Sequence, residues 1–374
     1  MKILGIVSGS ILSGKEFCTL NAAKGFIKNG HEVKIIFSGW HDGKFQARLN
    51  EHKIENIPLK LGWYYKTKPL WSIDSLVHYP KSLFKYLQIQ RRFSPDFIFV
   101  DSYRPVLLLK QFISKKIIFH VNDPHAHSKI DCMVLSKVQN KIYKFVAASQ
   151  FIKKDLINAG IKEHKIEVVH NGIEIPKEPI KVYMPQNRIR IGIVGQVIPR
   201  KGHEDLINAC KLLKEEGVAF ELLIFGSGFP GYIEIIKKQI VESNLENEVY
   251  WMGFEKDLNN IYSKLDIMVA PTRNEEPFAL VALEAAAYKV PVIASRSGGF
   301  PESVLDNETG FIVEKKAPEK IAEKIEILFR NPSKLKIFGY NGRVNVMNRF
   351  TIEHMHQKME NVLTVNKQQA LHLN

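Results

Sequence analysis

The chain has 374 residues, 45% hydrophobic and 25% charged, the composition of an ordinary globular protein long enough for two domains, each with ample core. No run approaches the ~18–20 apolar residues of a membrane span. The strand-like start is too short for a signal peptide, and Cys18, Cys132 and Cys210 form no metal or disulfide pattern, so a reducing, cytoplasmic setting is expected. The net charge of +14 is lopsided: residues 1–180 hold 28 Lys+Arg against 15 Asp+Glu, and residues 181–374 hold 25 against 24. A net of +13 in one half points to an anionic partner for that half: nucleic acid, a phosphorylated acceptor or an acidic membrane surface.

In chain order, Ile3–Val7 reads as a strand, followed by a loop with glycines at positions 9 and 14, a helix over about 17–28 ending at Asn29-Gly30, and the strand 32–37. This βαβ unit implies a parallel, doubly wound sheet, with ligands at the strands' C-terminal ends. The loop is not G-x-G-x-x-G and alone is a weak signal. Strands follow at 97–100 and 116–119, the second ending in His120-Val-Asn-Asp123. His125 and His127 lack the Cys or carboxylate set that a metal site needs. Strands at 145–149 and 165–169 flank a helix over 150–158. Residues 174–188 are polar and Pro-rich, as an interdomain linker is.

The second half restarts with a strand at 189–194 that enters Gly195-Gln-Val-Ile-Pro-Arg-Lys-Gly202 and a helix from about His203. A glycine, a basic residue and a helix start form a phosphate cradle, or a plain βα loop with solvated charges. Strands at 221–225 and 249–252 lead to Gly253-Phe254. The apolar strand 267–270 then opens into Pro271-Thr-Arg-Asn-Glu-Glu-Pro-Phe-Ala-Leu-Val-Ala-Leu-Glu284. A helix from about Pro277 leaves the N–H groups of Phe278, Ala279 and Leu280 as an anion site, bracketed by Glu276 and Glu284. One acid could grip hydroxyls on each side of a bound phosphate, the geometry a nucleotide-sugar needs. The alternative is an N-terminal helix acid and a solvated glutamate, but Glu284 lies in an otherwise apolar helix and a buried acid wants a partner. Strands at 291–294 and 311–313 and helices over 317–329, 332–349 and about 351–363 complete the chain.

The two acids resemble the E-x7-E signature of retaining glycosyltransferases of family GT4. The resemblance extends to Gly14, Gly30-His-Glu-Val33, His120, Asn171-Gly-Ile173, Gly195 and Lys201. It implies a GT-B fold, two Rossmann-like doubly wound domains facing across a cleft: 1–180 for the acceptor, 181–350 for the nucleotide-sugar, and a C-terminal helix in 351–374 crossing back to the first. It further implies that Gly14 and Gly195 admit the donor phosphates, that Lys201 and the Ala279 and Leu280 N–H groups stabilise the leaving diphosphate, and that Glu276 and His120 hold the donor sugar. Glu284 would hold the ribose, with the backbone around Phe254 near the base. Gln196 stands where the family has an arginine, and Arg200 is the candidate substitute. The nucleotide-diphosphate-sugar is a co-substrate; no cofactor and no metal are expected, since no D-x-D pair is found.

Residues 63–92 carry Lys66, Lys68, Lys81, Lys85, Arg91 and Arg92 against one acid, Asp74, among many aromatics. Such a stretch suits a membrane interface; the alternative is a helix packed on its own sheet with a solvated basic face. The expected enzyme therefore glycosylates a glycan or lipid-linked acceptor, peripherally on the inner face of the membrane, with no nucleic-acid partner. A nucleic-acid-binding Rossmann-like protein and a GT-B epimerase or phosphorylase are the competing readings.

Overall fold

The computed structural model describes residues 1–9, 14–61, 69–109, 111–177 and 187–371, with Pro69 and residues 365–371 described by backbone alone. They form two units, Met1–Gly172 with Ile352–Asn374, and Ile173–Thr351. The predicted linker lies at the start of the second unit, and its residues 178–186 fall outside the described ones.

In the first unit strands and helices alternate: β1 (Lys2–Val7), α1 (Gly14–Lys28), β2 (Glu32–Ser38), α2 (Lys44–Glu51), β3 (Glu55–Leu59), α3 (Pro69–Phe93), β4 (Phe97–Val100), α4 (Tyr103–Leu109), β5 (Lys116–Val121), α5 (Lys129–Val138), β6 (Ile142–Ala147), α6 (Gln150–Asn158) and β7 (Ile166–Val168). The sheet is parallel, in the order β3-β2-β1-β4-β5-β6-β7. Ile3, Leu4, Ile6 and Val7 are all buried, as a strand covered on both faces requires. Their alternation sends Leu4 and Ile6 into one core with Ile98, Val100 and Phe119. Ile3 and Val7 enter the other with Phe26, Val33 and Phe37, completed by Ile352, Met355, Met359, Val362 and Leu363 of the C-terminal helix, Ile352–Leu371. That helix is pinned to α1 by His356, whose Nε2 lies 2.9 Å from the Asn21 carbonyl oxygen.

Three expectations shift. β3 was not foreseen: it is an edge strand paired with β2 alone and holds Pro58, which weakens the strand signal and is tolerated at an edge. α1 begins at Gly14 rather than near Phe17. β6 spans 142–147 rather than 145–149, because Ser149 caps α6 by accepting from the Ile152 N–H.

The second unit contains β8 (Ile189–Val194), α7 (His203–Glu215), β9 (Phe220–Phe225), α8 (Pro230–Glu242), β10 (Val249–Gly253), α9 (Leu258–Tyr262), β11 (Ile267–Ala270), α10 (Leu280–Ala287), β12 (Val292–Ser295), α11 (Phe300–Ser303), β13 (Gly310–Val313), α12 (Pro318–Arg330) and α13 (Pro332–Arg349). Its parallel order is β10-β9-β8-β11-β12-β13. The starts of β8 and β11 are locked by Arg190, whose Nε and Nη2 donate to the two Asp266 carboxylate oxygens at 3.0 and 2.9 Å in a buried bidentate pair. In each sheet the strand order reverses between two central strands, β1 and β4 in the first, β8 and β11 in the second. Loops diverge there and leave a crevice at the strands' C-terminal ends.

Candidate active site

The loops that leave β8 and β11 carry most of the predicted donor residues, because both strands end at the switch point of the second sheet. After β8, Gly195 donates its N–H to the Phe225 carbonyl at 2.9 Å, and Gln196 is exposed. Pro199–Lys201 then make one tight turn. Gly202 follows with φ +73°, against the end of β11: a Cβ there would sit 1.9 Å from the Pro271 oxygen, so only glycine lets the two loops meet. The Arg273 N–H donates to the Arg200 oxygen at 2.9 Å and joins them. Arg273 itself is spoken for. Its guanidinium takes Asp205 at 2.7 and 2.8 Å and also contacts Glu204, which holds it charged.

Lys201 and Arg200 turn toward Glu276. Lys201 Nζ lies 2.8 Å and Arg200 Nη1 3.3 Å from the same carboxylate oxygen. Lys201 and Glu276 are each 15% exposed, and Arg200 is 41% exposed, so the inner cation is the lysine. The Glu276 backbone is fixed from both sides. Its N–H donates to Ser297 Oγ at 3.0 Å, and Ser297 Oγ donates to the Asn274 oxygen at 2.6 Å. Its oxygen accepts from Gly299 N–H at 2.8 Å. Gly298, at φ +48°, fits beneath it, where a Cβ would come within 1.9 Å of the Glu276 oxygen. Glu275 accepts from the Gly298 N–H and pairs with Lys315.

The helix after these residues begins at Leu280, not near Pro277. The Ala279 backbone, at φ −88° and ψ 64°, is outside the helical region, and the Leu280 N–H donates to the Phe278 oxygen at 3.1 Å. This corrects the expectation that the Phe278, Ala279 and Leu280 N–H groups all point out of a helix end. Phe278 and Ala279 are buried residues of the approach loop. Glu284 accepts from Tyr262 Oη at 2.9 Å, and Tyr262 is fully buried and stacked on Tyr288 with centroids 5.5 Å apart. Burial pushes the Glu284 carboxyl up, and the Tyr262 bond partly opposes it. Phe254 follows the edge strand β10 and its ring is largely exposed.

In the first unit the switch point gathers Ser8, Lys15 and Asp101. Ser8 donates from N–H and Oγ to Asp101 Oδ1 at 2.9 and 3.0 Å, and Lys15 Nζ is 3.7 Å from both Asp101 and Asp123. Gly14 opens α1, with nothing among the described residues near its would-be Cβ. His120, inside β5, is fully buried, and neither ring nitrogen has a hydrogen-bond partner among the described residues. Burial lowers it to about 3, so it is neutral. His125 Nδ1 faces Asp131 Oδ2 at 2.9 Å, and Tyr103 donates to the other oxygen of that carboxylate. Among the described residues no three His, Cys, Asp or Glu side chains are grouped as a metal site would need. Sequence reasoning missed the supporting roles of Arg273 and Glu275 beside Glu276, and of Tyr262 and Lys315 from more distant parts of the chain. The buried His203 at the start of α7, lowered to about 4 by burial, was also missed.

Two parallel doubly wound units of this kind define the GT-B class. The solved structures agree: Anabaena HepE, crystallised with UDP, superposes with a TM-score of 0.83 at 21% identity, over 98% of this chain and all of that one. Sucrose-phosphate synthase from Thermosynechococcus elongatus gives 0.82 at 18%, over the whole of both chains. The family model for glycosyl transferases group 1 matches residues 175–345, and that for glycosyltransferase family 4 matches residues 12–176. The chain belongs to these glycosyltransferases, group 1 and GT4-like. Among curated relatives, CapM of Staphylococcus aureus, a capsular polysaccharide biosynthesis glycosyltransferase, is 31% identical over 58% of this chain and 60% of its own length. A GDP-mannose-dependent phosphatidylinositol monomannoside mannosyltransferase of Mycobacterium tuberculosis is 28% identical over 44% of each. The matches thus span about half the length of these relatives.

Proposed function

We propose that the chain is a retaining, metal-independent glycosyltransferase. It moves a sugar from a nucleotide-diphosphate-sugar to a glycan or lipid-linked acceptor in the making of a cell-envelope polysaccharide or glycolipid. The observation that carries this reading is the convergence of Lys201 and Arg200 on Glu276 at the switch point of the second sheet. Two cations suit a leaving diphosphate, whose charge grows as the glycosidic bond breaks. Arg200 supplies the second cation that Gln196 does not. Glu276 accepts from hydroxyls of the donor sugar. Glu284, held by Tyr262, accepts from the ribose hydroxyls. The acceptor oxygen attacks from the face the nucleotide leaves. Its proton passes to a donor phosphate oxygen, so no side chain serves as base.

The capsule and phosphatidylinositol mannoside relatives support the acceptor class. HepE structures with UDP and with UDP-glucose support the donor class. We place the protein peripherally on the cytoplasmic face of the membrane. No helix among the described residues is long and apolar enough to cross one.

The test starts with thermal shifts against UDP-, GDP- and ADP-sugars, since a ligand at a hundred times its Kd adds about 2.7 kcal/mol to native stability. The donor that shifts the midpoint is then incubated with a glycan or lipid-linked acceptor in EDTA, and the product anomer is read by NMR. Transfer with the donor's anomeric configuration is expected. An inverted product, loss of transfer in EDTA, or epimerised or phosphorolysed sugar alone would overturn the reading.

A further inference from the structure

Helix α3 does not keep its apolar residues to one side: Leu83, Leu87 and Ile89 pack on the core, yet large apolar side chains also face outward. Its inner side carries Ser75 and Ser82, 1% and 7% exposed, beside the buried Tyr86 and Phe93. Its outer side carries Leu70, Ile73, Leu76, Val77 and Phe84, each between 59% and 77% exposed. Positions 70, 73, 77 and 84 keep the three- and four-residue spacing of one helical stripe. A single exposed leucine needs no explanation, but five large apolar side chains on adjoining turns form a patch that a solvated surface rarely leaves uncovered.

The exposed side also carries Lys81, within the stripe between Val77 and Phe84, and then Lys85, Arg91 and Arg92, none of which has an ion pair among the described residues. The helix's one acid, Asp74, does not offset them. It is taken by Lys60 at 2.6 Å, by Trp40 Nε1 at 2.8 Å and by His78 at 3.0 Å. We infer that this side of α3 docks on an anionic lipid bilayer. Leu70, Ile73, Leu76, Val77 and Phe84 enter the boundary between headgroups and acyl chains, and the lysines and arginines meet lipid phosphates. A second copy of the chain is a poorer occupant. A two-fold pairing of α3 with itself sets its cations against the partner's cations or against the partner's apolar stripe, and neither is complementary. The inference places the protein where a lipid-linked acceptor lies and to that extent rests on the acceptor reading. Vesicle binding needs neither donor nor acceptor, so the two fail separately.

The experiment is co-sedimentation of the full chain with phosphatidylcholine vesicles and with mixed phosphatidylcholine–phosphatidylglycerol vesicles, at low and high salt. Binding to the anionic vesicles at low salt is expected, weaker at high salt, with little on the neutral ones. The double variant Leu76→Ser, Val77→Ser should lower the partition coefficient about tenfold or more at either salt. Lys81→Ala with Lys85→Ala should lower it about fivefold per residue at low salt only, equivalent to ~1 kcal/mol for each cation. Thermal midpoints should be unchanged in both variants, because the altered side chains are outward. Wild type that stays in the supernatant with anionic vesicles at low salt overturns the inference, as do variants that bind like wild type. So does an unbound wild-type dimer, in sedimentation equilibrium, that the serine variant splits.

Discussion

Glu276 shares one carboxylate oxygen with Lys201 and Arg200, so a donor diphosphate competes with that carboxylate for the same cations. Glu276→Gln should therefore tighten nucleoside diphosphate binding by about 3–10-fold while lowering turnover by about a hundredfold or more. Calorimetry and a transfer assay read the two effects separately, and weaker binding by a folded variant would place Glu276 on the nucleotide itself. Glu284 has the opposite problem, a carboxylate held where burial disfavours its charge. Tyr262 faces it directly, and Tyr288 and Asp257 are the charged or titratable neighbours of the tyrosine pair. A raised carboxyl binds its proton at higher pH than an ordinary one, near 4.3. Acidification should thus weaken donor binding from above that range, as the ribose acceptor is lost. Tyr262→Phe removes the bond that favours the ionised form. It should move the inflection of Kd against pH further up and weaken binding at neutral pH by about 1–1.5 kcal/mol. A variant with unaltered Kd and inflection would leave Tyr262 a packing residue. Glu284 was legible from its apolar surroundings in the sequence. Tyr262 was not, because its bond to Glu284 spans two elements and no local pattern marks it.

At the scale of elements, the site is two loops held together by backbone. Gly202 exists because the β8 loop must pass the Pro271 carbonyl. Gly202→Ala forces both a left-handed backbone and a clash, and should cost roughly 2–4 kcal/mol of stability together with donor binding. Urea unfolding measures it, and a loss under about 0.5 kcal/mol would show that the loops can separate. Gln196→Arg, on the exposed turn of the same loop, should tighten diphosphate binding by adding a cation beside Lys201 and Arg200. Equal or weaker calorimetric binding would mean that Arg200 already fills the place. Both loops were visible in the sequence, since a strand, a glycine and a helix start leave a local pattern. The true start of α10 was not. The Pro277-Phe-Ala stretch has acceptable helix chemistry, and what holds it out of the helix is the packing of its loop against Ser297, Gly298 and Gly299, more than twenty residues on.

For the molecule as a whole, the C-terminal helix is part of the first unit's core. A chain ended after residue 351 removes Ile352, Met355, Met359, Val362 and Leu363 from that core. The first unit should then fail to unfold cooperatively, and calorimetry that still shows the full transition would make the helix an accessory. Buried histidines contribute to the loss of stability in acid. His120 is lowered to about 3 and His203 to about 4, each below the unfolded value of about 6.5. The unfolded chain binds the protons the native state refuses, so stability is whole above pH 6.5 and falls as pH drops toward 4, by up to about 1.4 kcal/mol per pH unit for each ring. His203→Asn should flatten the fall in denaturation midpoint between pH 7 and 5, and an unchanged slope would assign it to other groups. The repeated β-α alternation, the glycine and lysine loop of the second half, the acids at 276 and 284, and the excess of cations in the first half are all legible in the amino-acid order. Each is written in local periodicity, spacing or composition. Long-range packing set which strands meet at the switch points, that Arg200 joins Lys201 on Glu276, and that Arg273 is consumed by Asp205. It also set α3 with Ser75 and Ser82 inward and Leu70 and Leu76 out. Those outcomes depend on contacts between residues far apart in the chain, and a helix's amphipathic pattern does not say which side will find a neighbour.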